Sequence, residues 1–374
     1  MIDSIKVPYL GLVRQFSDTA LRQEVIGVFD HSHFVMGPVV ETFEKRFAEF
    51  CGTRYALGVN SGTDAIFLAL KALNVGHGDE VITVANSFVA TAGAIVAAGA
   101  KPVFVDVRSD YNMDPAALES ALSSQTRAIV PVHLTGCPAP MDEVMAFAEH
   151  RGIYVIEDAA QAVGAAIDGR PVGALGHVGC FSLHPLKNLN VSGDGGMMSI
   201  DSEELYMKLK QLRNHGLKNR DEIESFGYNS RLDSLQAAVG LYNLERLEEV
   251  TRRRIENAER YDRRLTQLAP QVTLPPRPSG VRQVFHTYVV QVEDRASLIE
   301  TLNQAGIETK IHYPVPIHFQ APCRKMGWKK GALPVTESQS ERILSLPIHQ
   351  FLSADQIDYV CEIISEFYTK RTKP

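Results

Sequence analysis

From residue 55 onward, short runs rich in Val and Ile alternate with helix-length amphipathic segments for well over a hundred residues. The runs fall at 55–59, 80–84, 102–106, 127–133, 153–157, 179–183 and 197–200, and the amphipathic segments at 64–73, 89–98, 114–122 and 142–150. Strands that alternate with helices in this way are joined by crossovers, which makes their sheet largely parallel and covers it with helices. The pattern predicts an α/β fold with a large, mostly parallel central sheet flanked by helices.

The last third of the chain has a different rhythm. A long charged stretch, 232–268, reads as a connecting helix, and APQVTLPPRPSG at 269–280 reads as a linker. Beyond it, 284–292 and 308–312 read as strands, and 296–305 and 354–367 as helices. The expected organisation is a large α/β unit over 1–250 and a small C-terminal α+β unit over 251–374. The first forty or so residues are expected to add a segment to the small unit.

Charge and cysteine usage narrow the function. With 38 basic and 44 acidic side chains, net charge −6, and no basic tail, nucleic acid is a poor partner. The run Arg252-Arg253-Arg254 lies among Glu248, Glu249 and Glu256 at helical spacing, so it reads as a solvated face. Five scattered cysteines without a C-x-x-C pair read as buried, inert thiols of a reducing compartment. The N-terminus has no apolar run of signal-peptide length and no stretch approaches the roughly 18 apolar residues of a membrane span, so a soluble cytoplasmic protein without a membrane partner is expected.

Three segments carry chemistry. The run IYVIED ends in Asp158, at the strand edge where open α/β sheets bind ligands. A carboxylate there suits a pyridinium nitrogen, although strand-terminal acids as often cap a turn. Twenty-nine residues later, FSLHPLKNL places Lys187 between a strand and the turn Ser192-Gly193-Asp194-Gly195-Gly196. A partly desolvated lysine beside a protonated cofactor has a lowered pKa and becomes a nucleophile, whereas an isolated lysine is ordinarily a surface residue. Upstream, LGVNSGTD joins a strand to a helix, and its small residues and helix-start N–H groups suit a phosphate, though S-G-T is also a common helix cap.

The ordered blocks SGTDAIFLAL, GDEVITVANSFVATAGAI, PVFVDV, PVHLTG, VIEDAAQAVGA, FSLHPLKNL with GDGG, LRNHG, GYNSRLDSLQAAVG and IHYPVPIH together resemble the DegT/DnrJ/EryC1/StrS family of sugar aminotransferases. These are pyridoxal phosphate enzymes of the aspartate-aminotransferase fold, fold type I, and the resemblance spans nearly the whole chain. It implies that Lys187 is the Schiff-base lysine, that Asp158 pairs with the pyridinium nitrogen, and that Gln161 lies near the phenolic oxygen. Phe88 is expected to stack on the ring, and Gly62, Thr63 and Ser182 to hold the phosphate. Asn229, in the GYNSRL block, is expected to cross a homodimer interface into the partner's site.

On the substrate side, the resemblance implies an amino-acid donor, expected to be L-glutamate, and a nucleotide-linked keto-sugar met by His184, Tyr313 and His318. GDGG and KNL lean toward the 3-amino branch over members with GEGG. His184, where many 3-position members carry Tyr, and Asn190-Val191-Ser192, where Gly is frequent, leave the sugar open. Two rival readings are a dehydratase, whose family members typically carry His in the lysine's place, and a non-catalytic regulatory protein; the intact Lys187, Asp158 and Gln161 argue against both. No metal is expected, because His31 and His33 lack partners at ligand spacing.

Overall fold

The computed structural model describes residues 5–371, so the first four residues of the N-terminal stretch read above lie outside it. The central sheet has seven strands: β1 Tyr55–Val59, β2 Glu80–Val84, β3 Lys101–Val105, β4 Thr126–Ile129, β5 Tyr154–Asp158, β6 Val178–Ser182 and β7 Gly196–Ile200, in the order β3-β2-β4-β5-β6-β7-β1. From β3 to β6 all pairs are parallel, and β7 runs antiparallel to both β6 and β1. Helices Gly62–Ala72, Val89–Ala97 and Met141–Glu149 connect or cover these strands. Strands wrapped on both faces lose nearly all contact with water, which is why β2 is buried at every position.

Two glycines permit close approaches that position the site. A Cβ on Gly62 would lie 2.7 Å from Ser182 Cβ and 3.0 Å from its Cα, so the helix start rests directly on the end of β6. On Gly196 a Cβ would stand 2.4 Å from the Ser61 backbone, so β7 tolerates no side chain there.

The C-terminal part builds a second core on the antiparallel strands Val272–Thr273, Tyr288–Val292 and Ile343–Leu346. Helices Leu247–Leu265, Arg295–Gln304 and Ala354–Arg371 contribute to it, with Tyr261 stacked on Tyr288. From the N-terminal segment Val7 bridges Ile307 in this core, whereas Leu21 and Val40 pack into the core of the large sheet.

Local expectations fail in three places. The stretch 232–268 is two helices, Ser234–Leu244 and Leu247–Leu265, broken without any Gly or Pro. There Asn243 turns its amide to the Asn190 carbonyl at 2.9 Å, a tertiary contact that no propensity encodes. The segment 308–312 forms only an isolated bridge, Lys310 to Ser345, in place of a strand. Within the arginine run, Arg252 and Arg253 are solvated and paired with Glu249, but Arg254 is buried and donates to the Phe285 and His286 carbonyls at 3.0 and 3.3 Å. Burial lowers its pKa to about 10. All five cysteines are free and buried, as expected.

Candidate active site

A cavity of about 300 Å³ opens where the C-terminal ends of the parallel strands meet the segment around Tyr313. Its wall includes Gly62, Thr63, Phe88, Asp158, Gln161, Ser182, His184, Lys187 and Tyr313, so most of the site residues expected from sequence share one space.

Lys187 sits in the turn after β6, where its N–H donates to the His184 carbonyl and its own carbonyl accepts from Asn190 Nδ2, both at 2.8 Å. Desolvation of the amine lowers its pKa from 10.5 to about 8, against the opposing attraction of Asp158. The neutral amine, the nucleophilic form, is therefore far more accessible near neutral pH than for an ordinary lysine.

Asp158 ends β5 and is buried. Its Oδ2 accepts from Thr91 Oγ1 at 2.7 Å and its Oδ1 from the Ala160 N–H at 3.2 Å. Burial raises its pKa, while the Thr91 and Ala160 hydrogen bonds and the Lys187 charge oppose that rise. Among the described residues it forms no ion pair of its own, so a cationic N–H in the cavity would meet a waiting acceptor.

Behind it, Glu157 is fully buried and accepts from the N–H groups of Gly173, Leu175 and Gly176. His133 Nδ1 accepts from the Ala139 N–H, so its Nε2 carries the proton and donates to Glu157 at 3.0 Å. These bonds brace the strand that presents Asp158. Gln161 is fixed by the Thr135 N–H, which donates to its Oε1 at 2.8 Å, and by its own donation to the Tyr313 hydroxyl at 3.3 Å.

At the opposite end, Ser61 caps the helix Gly62–Ala72 by accepting from the Asp64 N–H at 3.1 Å. The first intrahelical bond comes from Ala65, which leaves the Gly62 and Thr63 N–H groups at the positive end of an eleven-residue helix. Phe88, 55 % exposed, lines the cavity with its ring centre 5.9 Å from that of Tyr313. A planar heteroaromatic with a phosphate at one end and a basic ring nitrogen at the other fits this arrangement of acceptor, ring wall and N–H cradle.

Two expected residues lie elsewhere. Asn229 is exposed outside this chain's cavity, bridged to Asn214, while the adjacent Ser230 donates to Asp64 Oδ2 at 2.7 Å and ties that loop to the cradle. His318 is fully buried with its Nε2 3.1 Å from Glu337 and its ring against Phe319, so it has no face toward the cavity and is not a wall residue.

Ser87, Thr91 and His286 line the cavity but were not singled out from sequence, and His312, from the IHYPVPIH loop, lines it as well. Only Ser87 and Thr91 had a legible signal, two hydroxyls four residues apart beside Phe88 at a helix start. His286 and His312 are held neutral by burial and by neighbouring cations, Lys187 foremost, His312 having a pKa of about 4.

Sheet order, lysine turn and N–H cradle match those expected of an aminotransferase of the pyridoxal phosphate fold type I class. The chain belongs to the DegT/DnrJ/EryC1/StrS aminotransferase family, whose sequence model matches residues 16–365. It is 41 % identical to a protein of Geobacillus stearothermophilus named pleiotropic regulatory protein, over 97 % of this chain and 99 % of that one. It is 40 % identical to the UDP-N-acetyl-3-dehydro-α-D-glucosamine 3-aminotransferase of Acidithiobacillus ferrooxidans, over 97 % and 98 %. Among solved structures, Streptomyces venezuelae DesV in complex with a ketimine intermediate superposes with a TM-score of 0.94 at 39 % identity, covering 96 % of this chain and 98 % of that one.

Proposed function

We propose that this aminotransferase moves an amino group from L-glutamate to the 3-position of a nucleotide-linked keto-sugar. The observation that carries the reading is the convergence of Lys187, Asp158 and the Gly62–Thr63 cradle on one cavity. The 3-aminotransferase relative supports the position on the sugar.

Pyridoxal phosphate, the cofactor of this family, supplies an electron sink that stabilises the carbanion formed when the donor loses its α-proton. The chain does the rest. Asp158 would provide the negative charge that keeps a ring nitrogen protonated, Gln161 would lie by the phenolic oxygen, and Phe88 would cover the ring. Gly62, Thr63 and Ser182 would hold the phosphate. Lys187 Nζ anchors the cofactor and, once freed, carries a proton at that nitrogen, for which a pKa of about 8 is well matched. His184 and Tyr313 border the space left for the sugar.

The chain acts as a homodimer in which Asn229 reaches the partner's phosphate, a role its exposure outside its own cavity accommodates. The unit boundary falls near residues 250/251, in the helix that enters the second core. No helix among the described residues is long and apolar enough to cross a membrane, and we assign the enzyme to the cytoplasm.

The regulatory name of the Geobacillus relative keeps a non-catalytic reading in play, and one experiment separates the two. The purified protein should show a visible cofactor band that is lost in Lys187→Ala and bleached by glutamate. Screening dTDP-, UDP- and GDP-linked keto-sugars for aminated product then identifies the acceptor. A band that no amino acid alters would refute the catalytic reading.

A further inference from the structure

Asp158 does not meet the cavity unaided. Thr91, in the first turn of the helix Val89–Ala97, has its Oγ1 2.7 Å from Asp158 Oδ2, 2.8 Å from Ser87 Oγ and 3.3 Å from the Phe88 carbonyl. A threonine hydroxyl has one proton to give. The carboxylate, closer and charged, takes it, so Ser87 must donate to Thr91 and the three side chains form a line of hydrogen bonds running one way. Thr91 and Ser87 are both buried and both touch the cavity.

The same residue is fastened to the ring wall, because the Thr91 N–H also donates to the Phe88 carbonyl at 3.3 Å. Phe88 faces the cavity at the entrance to this helix, and Asp158 meets it from β5. Thr91 is therefore the joint between the group that covers a planar ligand's face and the group that holds its edge.

We propose that Thr91 is a positioning residue of this enzyme, its hydroxyl keeping the Asp158 carboxylate charged and turned toward the ring nitrogen of the cofactor. The proposal rests on the cofactor reading above. Burial works against that charge, and Thr91 is the foremost of the contacts that oppose burial. The other groups that act on Asp158 or feel its charge are the Ala160 N–H, Lys187, His133, Tyr313 and Cys180. They stay unchanged when only residue 91 is altered. A hydrogen bond to a buried charge is strong, and its removal leaves the carboxylate easier to protonate. The ring nitrogen then shares a proton with a neutral acid and withdraws electrons less well.

The test uses the holoenzyme with Thr91→Val, which keeps the shape, and Thr91→Ser, which keeps the hydroxyl. The rate of the glutamate half-reaction is followed by stopped-flow absorbance across pH. In Thr91→Val the maximal rate should fall roughly 10- to 100-fold, with the glutamate concentration for half-maximal rate little changed. The acidic limb of its pH profile should move to higher pH, and Thr91→Ser should restore most of both. Equal damage in both variants, or a rate loss with an unmoved limb, overturns the relay, since either is what a packing role alone produces. A wild type that forms no cofactor band removes the underlying reading and the relay with it. A normal wild type with an unaffected Thr91→Val overturns the relay alone.

Discussion

Replacing Lys187 by Met should stabilise the cofactor-free protein, although it abolishes catalysis. In the folded chain the buried amine titrates at about 8 instead of 10.5. Each unit corresponds to 1.36 kcal/mol, so below pH 8 the folded state carries a penalty of roughly 3 kcal/mol for charging this group. Between pH 8 and 10.5 the unfolded chain binds the additional proton, so wild-type stability should rise with pH across that window and level off above it. Methionine is similar in length and carries no charge, so the variant should be more stable near pH 7 by up to about 3 kcal/mol and lack the rise. Urea unfolding of both cofactor-free proteins, followed by far-UV circular dichroism from pH 6.5 to 10, measures the difference. Asp158 is common to both, so only its attraction to the lysine is lost with the charge. Parallel pH curves, or a less stable variant at pH 7, would show that the amine is not desolvated and that its nucleophilicity has another origin.

Gly62→Ala should push the helix start off Ser182, because the new Cβ meets side chain and backbone together. Cofactor affinity by absorbance titration should fall at least tenfold while unfolding stability changes less. Glu157→Ala strands three N–H donors and His133 and should cost roughly 3 kcal/mol or more in urea unfolding. His318→Ala should lower stability by roughly 2 kcal/mol by removing a buried donor to Glu337, and leave the KM for the sugar unchanged; a raised KM would restore its substrate role. Asn229→Ala and Lys187→Ala, each inactive alone, should regain up to a quarter of wild-type specific activity when unfolded and refolded as a mixture, as shared sites require; no recovery would place Asn229 in its own chain's site.

Much of the site was legible because its chemistry follows local chain geometry. Asp158 closes an apolar run, so a strand ends there and its carboxylate stands at the sheet edge. Ser61, Gly62 and Thr63 begin a helix, and a helix start gathers N–H groups wherever it occurs. Arg254 and His318 misled because their immediate neighbours are ambiguous. One shares a charged helical run with two solvated arginines, and the other closes a loop whose His312 and Tyr313 line the cavity, yet each is buried by residues distant in sequence.

Sequence alone therefore determined the α/β architecture and the family with its pyridoxal phosphate cofactor, because hydrophobic period, turn residues and ordered motifs act over a few residues at a time. The tertiary structure decided where the long helix breaks, which histidines reach the cavity, and how Thr91 and Glu157 brace the strand end that carries Asp158. Those outcomes depend on groups far apart in the chain meeting within hydrogen-bond distance, and on how much water their meeting excludes. Both are properties of packing, with no trace in any single segment.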